Sequence, residues 1–225
     1  MSFAIQKITA LVPIKGYSER VSNKNLRPFA GKPLYYHIIH TLLACPMIDS
    51  ICINTDSDAI AEDATSSFSG KIKIIPRPKE ICGDTVSMNV IIKHDLSQID
   101  GRYFLQTHST NPLLSLPTLT KAIEQFLKAG DHDSLFGVNR YQSRFYDHQG
   151  KAINHYPNEM LRTQDLPPVY EENSNLYLFS RDSFDKTGRR IGNKPILFET
   201  PKLESIDIDE EVDFKLAELI YEHIT

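Results

Sequence analysis

The feature that most constrains this chain is an alternation of short apolar, β-branched runs with longer segments of helical period. Ile8-Thr9-Ala10-Leu11-Val12 is apolar almost without a break, as a strand covered on both faces must be. Residues 32–44 then carry Leu34, Ile38, Ile39, Leu42 and Leu43 at helical spacing. The rhythm continues with strands expected over 50–55, 71–76, 103–106 and 134–138, interleaved with helices over 56–68, 88–98 and 116–129. Further strands are read at 176–179 and 204–209, and a final amphipathic helix at 212–223. Such alternation predicts an α/β fold, a mostly parallel sheet with helices on both faces. Between Asn139 and Tyr170 the periodicity gives out among tyrosines, histidines and prolines. Structureless stretches of that length are uncommon in a compact domain unless they serve a function. A small antiparallel arm at about 139–175, used as a subunit contact or a lid, is the expectation.

Composition narrows the class. At 225 residues, positions 1–225 suit a single domain large enough to need no disulfide or metal staple. A net charge of −4 argues against a nucleic-acid platform, which requires a basic face. Cys45, Cys52 and Cys82 are too few and too irregular for a disulfide framework or a zinc cluster. No apolar run is long enough to span a bilayer, and the segment Met1 to Lys7 lacks the apolar stretch of a signal peptide. The expectation is a cytoplasmic protein with neither a nucleic acid nor a membrane as partner.

The distribution of charge says more than its sum. Between Ala10 and Pro33 stand five cations, Lys15, Arg20, Lys24, Arg27 and Lys32, against one acid, Glu19. Between Glu199 and Asp213 stand seven acids against one cation, Lys202. In open parallel sheets ligands bind at the carboxyl ends of the strands, and the basic stretch begins where the first strand ends. It has neither the Gly-rich Walker pattern nor the Gly-x-Gly-x-x-Gly of dinucleotide folds. A flexible basic loop with Gly16 and several hydroxyls suits a polyphosphate, and equally a solvated surface. In Ser205-Ile206-Asp207-Ile208-Asp209 a strand would put both aspartates on one face. Paired carboxylates repel unless a cation lies between them, and Mg²⁺ takes such oxygen ligands together with phosphates. Glu210, Glu211 and Asp213 fit the N-terminus of the last helix instead.

The segment from Leu11 to Leu26, followed by Ala30-Gly31-Lys32-Pro33-Leu34, resembles the signature loop of the acylneuraminate cytidylyltransferases, the CMP-sialic acid synthetases. In that family the loop wraps the triphosphate of CTP. Lys15 stands where the family has arginine, and Tyr17 where it has its second glycine. Arg77-Pro78-Lys79-Glu80 with Asp84-Thr85 and Ser87, then Leu105 to Leu113, and then Arg162-Thr163-Gln164-Asp165 with Glu172 and Asn173 match later pieces of the same pattern. After Gln106 two residues are inserted relative to the family, and its closing arginine is Leu114.

The resemblance implies a Rossmann-like nucleotidyltransferase sheet and a homodimer. It also implies transfer of CMP from CTP to the anomeric hydroxyl of a 2-keto-3-deoxy sugar acid, with Mg²⁺ as cofactor and pyrophosphate as by-product. Carried over by position, Lys15, Ser18, Lys24, Asn25, Arg77, Ser87 and Gln106 would bind the nucleotide. Gln106, Arg162 and Tyr177 would bind the sugar acid, Asp207 and Asp209 the metal, and Lys24 and Asp209 would be catalytic. His108 lies where it could touch substrate. Two alternatives stay open: a 3-deoxy-manno-octulosonate cytidylyltransferase, and a catalytically silent nucleotide- or nucleotide-sugar-binding protein.

Overall fold

The computed structural model describes residues 7–224, so the segment Met1 to Gln6 of the signal-peptide reading lies outside the described residues. A central sheet of seven strands has the order β5-β4-β1-β6-β8-β7-β9, and a short antiparallel hairpin, β2 (Pro28–Phe29) with β3 (Lys32–Pro33), stands beside it. The strands are β1 (Ile8–Ile14), β4 (Ile48–Thr55), β5 (Ile72–Pro76), β6 (Tyr103–Thr107), β7 (Ser134–Tyr141), β8 (Val169–Ser180) and β9 (Pro195–Glu199). Every neighbouring pair is parallel except β6–β8 and β7–β8, so β8 alone runs against the rest.

Alternation along β1 shows why it reads as an unbroken apolar run. Ile8, Ala10, Val12 and Ile14 face one layer of helices, made by α1 (Leu34–Ala44), α2 (Asp58–Ser67) and α4 (Leu116–Lys128). Leu11 faces the opposite layer, made by α3 (Met88–Gln98) and α5 (Arg181–Thr187). A third small core joins Phe29 and Leu34 to Ile208, Phe214 and Ala217, which docks α6 (Glu211–Ile224) on the hairpin. No helix among the described residues is long and apolar enough to cross a membrane.

Every expected element but one is present. The strand expected at 204–209 does not form: its neighbour is the loop after β6, so it gains isolated hydrogen bonds, such as Ile208 N–H to Thr110 O at 2.9 Å, rather than a ladder. An edge strand does form beside β7, namely β9, and it was not anticipated, nor were α5 and the β2–β3 hairpin. Residues 142–168 make the antiparallel excursion between β7 and β8, extended by a bridge between Tyr146 and Ala152.

One irregularity positions the site. Phe136 pairs with Tyr177 and Val138 with Glu172, so β8 carries three more residues than β7 over this stretch. Ser174 takes up the excess with a left-handed φ of 58°, and the bulge puts Glu172 on the same face as Tyr177, which regular pleating would forbid. Asn173 fixes the bulge by donating to Asn139 Oδ1 at 3.1 Å and Thr200 Oγ1 at 2.5 Å.

Candidate active site

A polar cavity of about 440 Å³ opens at the carboxyl ends of β1 and β6. The basic loop forms one wall, and Asp207 and Asp209 reach it from the C-terminal segment. The loop turns tightly after β1 at Gly16, whose N–H donates to Asp56 Oδ1 at 2.7 Å. A Cβ there would lie 2.7 Å from that of Ser57, so only glycine fits against the N-terminus of α2.

The loop's cations are paired with acids around the rim. Lys15 Nζ lies 2.6 Å from Asp84, and Arg20 lies 2.8 Å from Asp209. Lys15 holds the Asp84 carboxyl below its ordinary range. Lys24 is buried, donates to the carbonyl of Ile208 at 2.5 Å and stands 3.9 Å from Asp209. Burial lowers its pKa, a pull that Asp209 and Asp207 oppose. Ser18 is buried against the same cavity. Asn25 braces the walls: its Nδ2 donates to Lys15 O at 3.0 Å, and its Oδ1 accepts from Ser109 Oγ at 2.7 Å.

Without a ladder, the acidic segment still presents its two faces. Ile208 is wholly buried in the third core with Ile206 against it, and Asp207 and Asp209 turn into the cavity. Burial raises the pKa of Asp207, and its Oδ1 is buried with no hydrogen-bond partner. Asp213 accepts from the N–H groups of Asp209 and Glu210 at 3.1 and 2.7 Å, and Glu211 pairs with Arg27 at 2.7 Å. Those acids serve the start of α6.

Opposite the loop, Arg77 is presented by a buried relay. Its Nε donates to Asn54 Oδ1 at 2.6 Å and its Nη2 to Asn54 O at 3.1 Å, while Asn54 Nδ2 donates to Asp95 at 2.5 Å. Burial pushes the Asp95 carboxyl up to about 6. Ser87 caps α3 at the cavity edge, accepting from Asn89 N–H at 3.3 Å.

Gln106 and Tyr177 lie beneath the cavity, fully buried, and are joined there by Arg190. Arg190 Nη1 donates to Gln106 Oε1 at 2.6 Å, and the guanidinium stacks 3.5 Å above the Tyr177 ring. That bond fixes the Gln106 amide, whose Nε2 donates to Thr107 O at 3.0 Å and faces His108 Nε2 at 3.1 Å. His108 Nε2 is therefore an acceptor and its proton is on Nδ1. Burial, with Arg190 and Lys24 nearby, pushes its pKa down to about 3, so the ring is neutral. Arg162 is not brought to this place. It is on the arm, 71% exposed, and forked onto Asp165 at 2.7 and 3.0 Å. Arg190 is the member of this cluster that sequence reasoning missed, for it belongs to no recognisable spacing.

A basic loop, a fixed arginine and two aspartates around a cavity at the strand ends define a nucleotidyltransferase of α/β fold. The family model described as Cytidylyltransferase matches residues 9–223, and the chain belongs to that family, whose members are CTP-dependent nucleotidyltransferases. It is 24% identical over 229 residues to a pseudaminic acid cytidylyltransferase of Campylobacter jejuni, covering 96% of each chain. It is 27% identical over 219 residues to N-acylneuraminate cytidylyltransferase A of Danio rerio, covering 94% of this chain and 50% of that one. The solved structure of a CMP:2-keto-3-deoxy-manno-octonic acid synthetase complexed with CTP has the same fold, with a TM-score of 0.71 at 12% identity over 98% of this chain and 100% of that one.

Proposed function

We propose that this enzyme transfers CMP from CTP to the anomeric hydroxyl of a 2-keto-3-deoxy sugar acid of the sialic-acid type, releasing pyrophosphate. The observation that carries the reading is the convergence of Lys15, Arg20 and Lys24 with Asp207 and Asp209 on one cavity. The relatives named for pseudaminic acid and N-acylneuraminate support the acceptor class.

Phosphoryl-type transfers of this kind depend on positioning and charge neutralisation. Lys15 and Arg20 would exchange Asp84 and Asp209 for phosphate oxygens, and Lys24 would hold charge on the departing pyrophosphate from its buried position. Arg77, clamped by Asn54, would hold the nucleotide from the other side, with Ser18 and Ser87 at the edge. Asp209, the more exposed of the acidic pair, would take the proton of the attacking hydroxyl. The pair fits Mg²⁺: Asp207 offers a buried, unpartnered oxygen, and hard cations take oxygen ligands. Among the described residues no three or more His, Cys, Asp or Glu side chains form a metal site, so phosphate oxygens and water would complete the shell. When bound, Mg²⁺ would polarise the α-phosphate.

The reading implies a cytoplasmic enzyme. It also implies a homodimer, for the arm exposes Tyr146, Ile153, Tyr156, Met160 and Leu161, an apolar surface that a second copy would cover. The test is pyrophosphate release with each of the four nucleoside triphosphates against N-acetylneuraminate, pseudaminate and 3-deoxy-manno-octulosonate. Release with CTP and one acid is expected; release with CTP and no acid present, or none with any acid, would count against the reading.

A further inference from the structure

On this reading of the reaction, the acceptor carries its carboxylate and its attacking hydroxyl on bonded carbons. The cation that reads the carboxylate must therefore lie directly beside the nucleotide cavity. Arg162, exposed on the arm of the same chain and engaged by Asp165, does not meet that condition. Arg190 does. It follows α5, and its backbone N–H donates to Asn89 Oδ1 at 3.1 Å, which ties it to the first turn of α3 at the cavity edge. His108, which lines the cavity, has Nε2 only 3.5 Å from Arg190 Nη1.

The guanidinium is rigid and incompletely satisfied. Its side chain is only 16% exposed, it stacks on Tyr177, and Nη1 is held by Gln106. Among the described residues its one ion pair is long, 3.4 Å from Nη2 to Glu172, and the same Glu172 oxygen accepts the Tyr177 hydroxyl. Its bonds to Gln106 and Glu172 run through Nη1 and Nη2, and a guanidinium has five N–H donors. Burial lowers the Arg190 pKa, yet a guanidinium stays charged in proteins. A buried cation held on a ring, with donors to spare, is a carboxylate seat.

We propose that Arg190 binds the carboxylate of the acceptor acid, with the neutral His108 donating from Nδ1 to the same substrate and Gln106, Tyr177 and Glu172 holding the guanidinium in place. Glu172 reaches this cluster only because the bulge at Ser174 turns it to the Tyr177 face.

The experiment measures binding of N-acetylneuraminate, pseudaminate and 3-deoxy-manno-octulosonate by calorimetry in the presence of CTP without divalent metal, for wild type, Arg190→Lys and Arg190→Ala. It is accompanied by KM and kcat for any acid that turns over. Arg190→Ala should weaken the acid that binds by about 100-fold, a loss in the range for charge-assisted hydrogen bonds, with CTP affinity within about twofold, and Arg190→Lys should fall between. Should the alanine variant not fold, the lysine variant and the carboxamide of the same acid, which wild type should reject, carry the test. An acid that binds and turns over with its affinity unmoved in both variants would overturn this proposal alone. Failure of every acid to bind wild type would remove the proposed function and this inference with it.

Discussion

Asp95 offers a prediction that the structure makes quantitative. It is 1% exposed and its pKa rises from 3.8 to about 6, because burial penalises the charged form more than Asn54, His94 and Arg77 favour it. At about 1.36 kcal/mol per pH unit, its ionisation costs the fold roughly 3 kcal/mol. The folded pKa is raised, so the fold binds this proton more tightly than the unfolded chain does. The penalty is absent below pH 3.8, grows above it and is complete beyond about pH 6. Asp95→Asn keeps an oxygen to accept from Asn54 and removes the charge. Its new N–H₂ must leave water, though His94 Nδ1, buried without a partner, lies 3.7 Å from the carboxylate. After that cost the variant should gain about 1–2 kcal/mol at pH 8, or roughly 2–8 °C in Tm for a chain of this size. Thermal unfolding at pH 8 and pH 4 checks it. At pH 4 only about 0.5 kcal/mol of the ionisation penalty remains, less than the cost of burying the amide, so the variant should fall below wild type by about 1 kcal/mol; a loss of stability at pH 8, or a difference that ignores pH, would refute the reasoning. Because Asn54 keeps its grip on Arg77, the KM for CTP should stay within about threefold.

Other outcomes follow from the same geometry. Asp207→Asn and Asp209→Asn should each lower Mg²⁺-dependent turnover by about 100-fold or more with the fold intact by circular dichroism, and near-normal activity in both would remove the metal assignment. Lys24→Ala strips a buried cation from the cavity and from Ile208 O; calorimetry should show CTP binding weakened by about 30-fold and acceptor binding much less changed. Gly16→Ala forces a Cβ to within 2.7 Å of Ser57, which displaces the loop and should raise the KM for CTP while leaving the unfolding midpoint little moved. Ile153→Glu combined with Met160→Glu puts charge on the apolar arm and should yield monomers by sedimentation; an unchanged dimer would place the interface elsewhere.

Much of this was legible in the sequence because local signals agreed with the fold. The apolar run of β1, the helical spacing of α1 and the cations after Val12 each reflect a single element and its burial. The acidic pair was legible for a reason that outlived its argument. Alternation held over 205–209 although no strand formed, since Ile208 still had a core to enter and Asp207 a cavity to face. Arg162 and Arg190 show where legibility ended. Arg162 lies in a recognisable run, and within one chain it stays on the arm beside Asp165, three residues away. Arg190 lies in no run, and its role arises from contacts with Gln106, Tyr177 and Glu172, which come together only through sheet pairing and a bulge. Period-two alternation would have put Glu172 and Tyr177 on opposite faces. β9 was missed because an edge strand half open to solvent carries too little apolar contrast to be seen.

The central claim is that CMP is joined to the acceptor through its anomeric oxygen as pyrophosphate departs. Phosphorus NMR of the reaction with CTP, Mg²⁺ and the acid that binds tests it most directly. The account predicts one new phosphodiester resonance growing in step with pyrophosphate as the CTP signals fall. Signals of CDP with inorganic phosphate, or of free CMP with pyrophosphate and no phosphodiester, would contradict it.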